Sequence, residues 1–206
     1  MCIRDSYQIH WPKPPEDIEE AWGAMAELVK QGKVKHIGVS NFDVSHMERI
    51  QPIHPITSLQ PPYSMLRREV ESEILPFCEK NGIGVIVYSP MYKGLLTGAF
   101  DVQRAANLVE SDHRSRDPEF QSPRLECNLA LVEALRPIAE RNNRSLAELA
   151  IAWTTHNSAV TAAIVGARRP SQVDGIAAAG DWQLSTEDAQ AIDAELHKHS
   201  AAISAI

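Results

Sequence analysis

Short apolar runs rich in β-branched residues alternate along this chain with longer amphipathic stretches. The runs at 7–11, 35–39, 56–60, 83–88 and 160–165 predict strands. Their nearly continuous apolar character suits strands covered on both faces. Between them, the apolar spacing predicts helices over 16–31, 44–50, 68–81, 124–142, 145–156 and 170–179, with a last amphipathic helix over 185–199. Strand–helix alternation predicts an α/β fold built on a parallel sheet with crossover helices. The pattern alone leaves open whether that sheet closes into a barrel or stays open.

The helix borders have local causes. Pro14 and Pro15 precede Glu16, Asp17, Glu19 and Glu20, an acidic first turn that suits the helix dipole. Gly32 stops that helix. Ser145 with Glu148 forms an S-x-x-E capping box, and Ser185 with Asp188 repeats the pattern. Residues 89–123 break the rhythm, with Pro90, Gly94, Gly98, Pro118 and Pro123 and little periodicity. A stretch that long reads either as a functional lid or binding loop or as a disordered surface insertion.

Composition narrows the function classes. Of 206 residues, 44% are hydrophobic and 23% charged, as in an ordinary globular chain. The net charge is 20 − 27 = −7, and the basic residues are scattered, which speaks against nucleic-acid binding. No run approaches the roughly eighteen apolar residues of a membrane span, and the opening MCIRDS is unlike a secretory signal. Cys2, Cys78 and Cys127 lack CxxC spacing, which points away from metal or disulfide use and toward a reducing cytoplasm. His197 and His199 stand two apart on a helix, on different faces, and read as solvated rather than as metal ligands.

Polar residues follow four of the apolar runs: His10, Ser40 with Asn41, Gln60, and Tyr88 with Ser89. The carboxyl ends of parallel strands are where a βα barrel builds its active site. Ser40, Asn41 and Gln60 offer hydroxyl and amide groups able to pair with a carboxamide. Tyr88 offers a flat ring able to stack on another. Taken singly, His10 and Tyr88 each have a structural reading as well.

The segments YQIHWP, GKVKHIGVSNF, LQPPYSML, GIGVIVYSPMYKGLLTG and AAIVGARRPSQV together resemble the aldo-keto reductases over residues 7–199. The resemblance implies a (β/α)8 TIM-barrel type of fold, present here as an incomplete barrel of about five parallel strands. It implies one domain over 1–206, with 1–6 unlike the family. It also implies NADP(H) bound without a Rossmann motif and a small carbonyl substrate. By that resemblance, His10 orients the substrate carbonyl. Ser40, Asn41 and Gln60 bind the carboxamide, and Tyr88 stacks on the nicotinamide. Ser89, Met91, Lys93, Gly94, Leu95 and Gly98 match the loop around the pyrophosphate. Gly166, Arg168, Arg169 and Gln172 match the segment around the adenosine 2′-phosphate, and paired arginines at a helix start suit an anion. Where the family often carries an acidic residue and Asn near the adenine, this chain has Gly175 and Ile176.

In the family, a tyrosine donates the proton, its pKa lowered by a lysine that pairs with an aspartate. All three precede the histidine strand, where this sequence has only MCIRDS; Tyr63 and Tyr92 occupy other family positions. Such barrels also take about 250 residues. The expectation is therefore an N-terminally truncated reductase, inactive alone. A nucleotide-sensing regulatory subunit of the same fold, or a non-functional gene fragment, are the alternatives.

Overall fold

The computed structural model describes residues 4–206; Cys2 lies outside them. Two compact units emerge from the contacts. The first comprises residues up to Tyr63, Arg68–Tyr88 and Asn157–Ile164; the second comprises Ser64–Arg67, Ser89–His156 and Val165–Ile206.

The first unit holds five parallel strands in sequential order: β1 (Arg4–Ile9), β2 (Val34–Ser40), β3 (Ser58–Gln60), β4 (Gly84–Tyr88) and β5 (Val160–Ile164). Helices α1 (Ile18–Lys30), α2 (Val44–Ile50) and α3 (Ile74–Asn81) connect the first four. Sequential order with helical connections is the βα-barrel pattern. Trp22, Ile37, Val39, Met47, Ile50, Leu59, Val85 and Val87 are wholly buried in this unit's core. The Trp22 indole N–H donates to the carbonyl of His54 at 3.0 Å, so the buried ring leaves no polar group unpaired.

Burial corrects one sequence expectation. Coverage on both faces holds for β3 and for Ile37–Ser40 of β2, but β4 alternates buried and half-buried positions. Strands β1 and β5 are largely exposed, with Tyr7 at 52% and Ile164 at 45%. The cause is position: among the described residues each pairs with one neighbour only. Strand β1 also starts earlier than predicted and ends at Ile9, because Arg4 and Ser6 pair in register with Val34 and His36. His10 therefore stands just past the strand.

The second unit is helical: α4 (Val102–Ala106), α5 (Arg124–Arg141), α6 (Leu146–His156), α7 (Pro170–Ala177) and α8 (Thr186–Ser204). The predicted caps form. Ser145 N donates to Glu148 Oε2 at 2.8 Å and Glu148 N to Ser145 Oγ at 3.2 Å. Asp188 N donates to Ser185 Oγ at 3.0 Å. Residues 89–123 are folded rather than a bare insertion. Leu95, Phe100 and Phe120 of this stretch form a buried cluster with Leu125 of α5, with Phe100 edge-on to Phe120 at 4.9 Å. No helix among the described residues is long and apolar enough to cross a membrane.

Candidate active site

In the first unit the strand ends converge through hydrogen bonds. Ser40 and Gln60 are register partners on β2 and β3. Ser40 Oγ donates to the carbonyl of Gln60 at 2.7 Å, and Asn41 N donates to the same oxygen at 3.2 Å. Asn41 adopts a positive φ of 60°, a left-handed turn that Asn tolerates. This turn lets its amide look both ways. Asn41 Nδ2 donates to the carbonyl of His10 (3.0 Å) and to Ser40 Oγ (3.1 Å), while Oδ1 accepts from the Tyr88 hydroxyl (2.8 Å). His10, Ser40, Asn41, Gln60 and Tyr88 thus belong to one network.

Gln8 completes that network and is absent from the sequence prediction. It sits opposite Gly38, and Gly38 sits opposite Ser58. Gln8 Nε2 reaches across to Ser58 Oγ at 2.8 Å, and Gln60 Nε2 reaches back to Gln8 Oε1 at 3.0 Å. Gly38 makes this crossing feasible: a Cβ there would lie 2.6 Å from the Ser58 carbonyl oxygen. The available signal was spacing, since Gln8 and His10 are two apart and Gln8 is a polar residue inside a strand.

His10 itself is exposed, its ring 5.7 Å from that of Trp11. Among the described residues, Gln60 Oε1 has no hydrogen-bond partner. It is a free, half-buried acceptor suited to an amide N–H, so the site's chemistry fits a carboxamide.

In the second unit, residues 89–98 coil tightly. Ser89, Tyr92, Lys93, Gly94 and Gly98 all have positive φ. At Gly98 a Cβ would also fall 2.6 Å from Leu146 Cδ1, so the tip of that side chain would have to shift. The carbonyl of Met91 accepts from Gly94 N at 3.0 Å and Leu96 N at 3.2 Å, which draws those donors inward, and Leu95 anchors the turn in the buried cluster. Lys93 Nζ pairs with Asp117 Oδ2 at 2.6 Å. This partner, 24 positions away, also went unpredicted. Burial, together with the nearby carboxylates of Asp117 and Glu119, pushes the Tyr92 phenol above its ordinary pKa. That is the opposite of what a proton-donating tyrosine needs.

Also in this unit, Gly166, Arg168, Arg169 and Gln172 are exposed around the start of α7. Gln172 Oε1 accepts from the backbone N–H of Arg168 (2.7 Å) and of Arg169 (3.2 Å). The glutamine braces the turn and leaves both guanidinium groups in solvent.

The sequence profile described as "Aldo/keto reductase family" matches residues 4–196. The chain is 36% identical over 190 residues to the aldo-keto reductase YhdN of Bacillus subtilis (strain 168), covering 92% of this chain and 57% of that protein. It is 32% identical over 188 residues to probable aldo-keto reductase 1 of Glycine max, covering 91% and 54%. Among solved structures, it superposes on the glycerol dehydrogenase AKR11B4 from Gluconobacter oxydans with a TM-score of 0.88 at 35% identity, covering 95% of this chain and 59% of that one. A thermostable aldo-keto reductase, Tm1743, in complex with the inhibitor epalrestat, gives 0.69 at 28% identity, covering 93% and 59%. The chain spans little more than half the length of these relatives. With five parallel strands in sequential order and the profile matching residues 4–196, the chain belongs to the aldo/keto reductase family.

Proposed function

We propose that this chain carries the NADP(H)-binding residues of an oxidoreductase that interconverts small aldehydes or ketones and alcohols. The observation that carries the proposal is the network joining Ser40, Asn41, Gln60 and Tyr88 at the strand ends. Bound nicotinamide would supply the hydride. Gln60 Oε1 would accept from the carboxamide N–H, and Asn41 Nδ2 or Ser40 Oγ would turn from its present acceptor to donate to the carboxamide oxygen. The Tyr88 ring, oriented by its bond to Asn41, would lie against the nicotinamide. His10 would donate a hydrogen bond to the substrate carbonyl, whose oxygen needs a proton as the hydride arrives at carbon.

In the second unit, the turn of Ser89, Met91, Gly94, Leu95 and Gly98 would follow the pyrophosphate, with Lys93 as its cation. Gly166, Arg168, Arg169 and Gln172 would take the adenosine 2′-phosphate, two planar guanidinium groups suiting its oxygens. That phosphate is the basis for preferring NADP(H) over NAD(H). Free thiols at Cys78 and Cys127 suit the cytoplasm.

No position in the 206 residues matches the family's tyrosine, lysine and aspartate. The chain alone is therefore expected to bind cofactor without turning over substrate. Fluorescence titration with NADPH tests the phosphate assignment. Arg169→Ala should weaken binding by about tenfold, the order of one charge-assisted hydrogen bond. Equal affinities would exclude Arg169 as a phosphate anchor.

A further inference from the structure

Tyr63 lies three residues past β3 and is 2% exposed. Its hydroxyl donates to Glu71 Oε1 at 2.8 Å, and the Asn157 side chain reaches the same hydroxyl. Glu71 is gripped in turn by Arg68: Nε lies 3.0 and 3.1 Å from its two oxygens, and Nη2 lies 2.8 Å from Oε2. The main chain beside Tyr63 is stitched to the end of β4. Tyr63 N donates to the carbonyl of Tyr88 at 3.2 Å, and Tyr88 N donates to the carbonyl of Pro61 at 3.0 Å.

A buried tyrosine that only filled space would need no charged partner. Burial, reinforced by Glu71, raises the phenol's pKa, so the hydroxyl stays protonated and remains a donor. A donor bound to a clamped carboxylate fixes the rotation of its own ring. The fixed ring then fixes the backbone that carries it.

We propose that Tyr63, tethered by Glu71 and Arg68, is a positioning residue that sets the placement of Tyr88 and, through the Tyr88–Asn41 hydrogen bond, of the Asn41 amide. This rests on the reading of Tyr88 and Asn41 as nicotinamide contacts. It adds a role for a residue that touches neither cofactor nor substrate. The tether runs from Arg68 through Glu71, Tyr63 and Tyr88 to Asn41, entirely inside the first unit.

The test is Tyr63→Phe in the full 206-residue chain, read in two ways. Phenylalanine keeps the ring, and Glu71 keeps Arg68, so no charge is left unpaired. In 1H–15N spectra, the Asn41 side-chain amide resonances should move away from their wild-type positions. In fluorescence titrations, NADPH should bind about five- to tenfold more weakly, whereas adenosine 2′,5′-bisphosphate, which lacks nicotinamide, should bind as to wild type. Glu71→Gln alone, with Tyr63 intact, retains an acceptor for the hydroxyl and should leave both readouts at their wild-type values. Unmoved Asn41 resonances would overturn the proposal. So would equal weakening of both ligands, which marks a general structural role. A wild-type chain indifferent to NADPH, with Asn41 still responding to Tyr63→Phe, would support the tether and overturn the nicotinamide reading alone.

Discussion

The hydroxyl of Tyr88 donates to Oδ1 of Asn41 across 2.8 Å. That bond turns the amide so that Nδ2 faces the His10 carbonyl and Ser40 Oγ. Tyr88→Phe keeps the ring but frees the amide. NADPH affinity should fall about three- to tenfold, roughly one neutral hydrogen bond. Tyr88→Ala should cost more, because it also removes the stacking surface. Isothermal titration of the three chains checks the order.

Lys93 is engaged by Asp117, whose side chain is only 9% exposed. If Lys93 serves a pyrophosphate, that carboxylate competes with it. Asp117→Asn keeps an acceptor for the Glu119 backbone N–H, now at 3.1 Å, and removes the competing charge. NADPH binding should tighten severalfold at low salt and less at high salt. Weaker binding in titrations at two ionic strengths would show the ion pair to be a support for the loop.

Asp188 ties α5 to α8. Arg141 donates to its Oδ1 through Nε and Nη2, and Asn142 and Ser185 donate to Oδ2 at 3.1 and 2.9 Å. Burial alone would raise this carboxyl. The hydrogen bonds from Arg141, Ser185 and Asn142 outweigh it and hold the pKa below its usual value. Asp188→Ala should cost about 2–3 kcal/mol, read from the urea midpoint, because it removes charge-assisted bonds from a buried position. The lowered pKa adds a sign. This contribution is present above the unfolded value of about 3.9 and is lost as pH falls through the lower folded value.

His199, read from its spacing as solvated, is instead half-buried against Asn128 and titrates in a gentler range. Its Nε2 donates to Asn128 Oδ1 at 2.7 Å, and the Asn128 side chain is in turn held to Glu119. Burial lowers the imidazole pKa; Glu119 opposes the shift and Arg124 adds to it. The folded state therefore binds fewer protons than the unfolded one. Stability is complete above the unfolded value of about 6.5 and declines as pH falls below it, levelling under the folded value. The melting temperature should drop from pH 7 to pH 5. His199→Gln, which can still donate to Asn128, should flatten that slope.

Much of this was legible in the chain. Runs such as HIGV and GVIV mark strands, and the polar residues behind them mark the strand ends that the hydrogen bonds join, because both follow from local spacing. The Ser145–Glu148 box is equally local. Exposure of β1 and β5 was not legible, because an apolar pattern does not encode which strands have a second neighbour. The start of β1 was missed for a related reason: Arg4, Asp5 and Ser6 are poor strand formers held by pairing to β2. Gln8, opposite a glycine on β2, and Asp117, far along the chain from Lys93, depend on contacts that no short window contains.

Binding of a phosphorylated nicotinamide nucleotide, as proposed above, is the step on which the other assignments rest. One titration addresses it most directly: the purified chain against NADPH and NADH in parallel, with a reactive aldehyde added at saturation. Saturable binding, tighter for NADPH, is expected, with no oxidation of the bound nucleotide. Indifference to both nucleotides, or NADPH oxidation at an enzymatic rate, would contradict it.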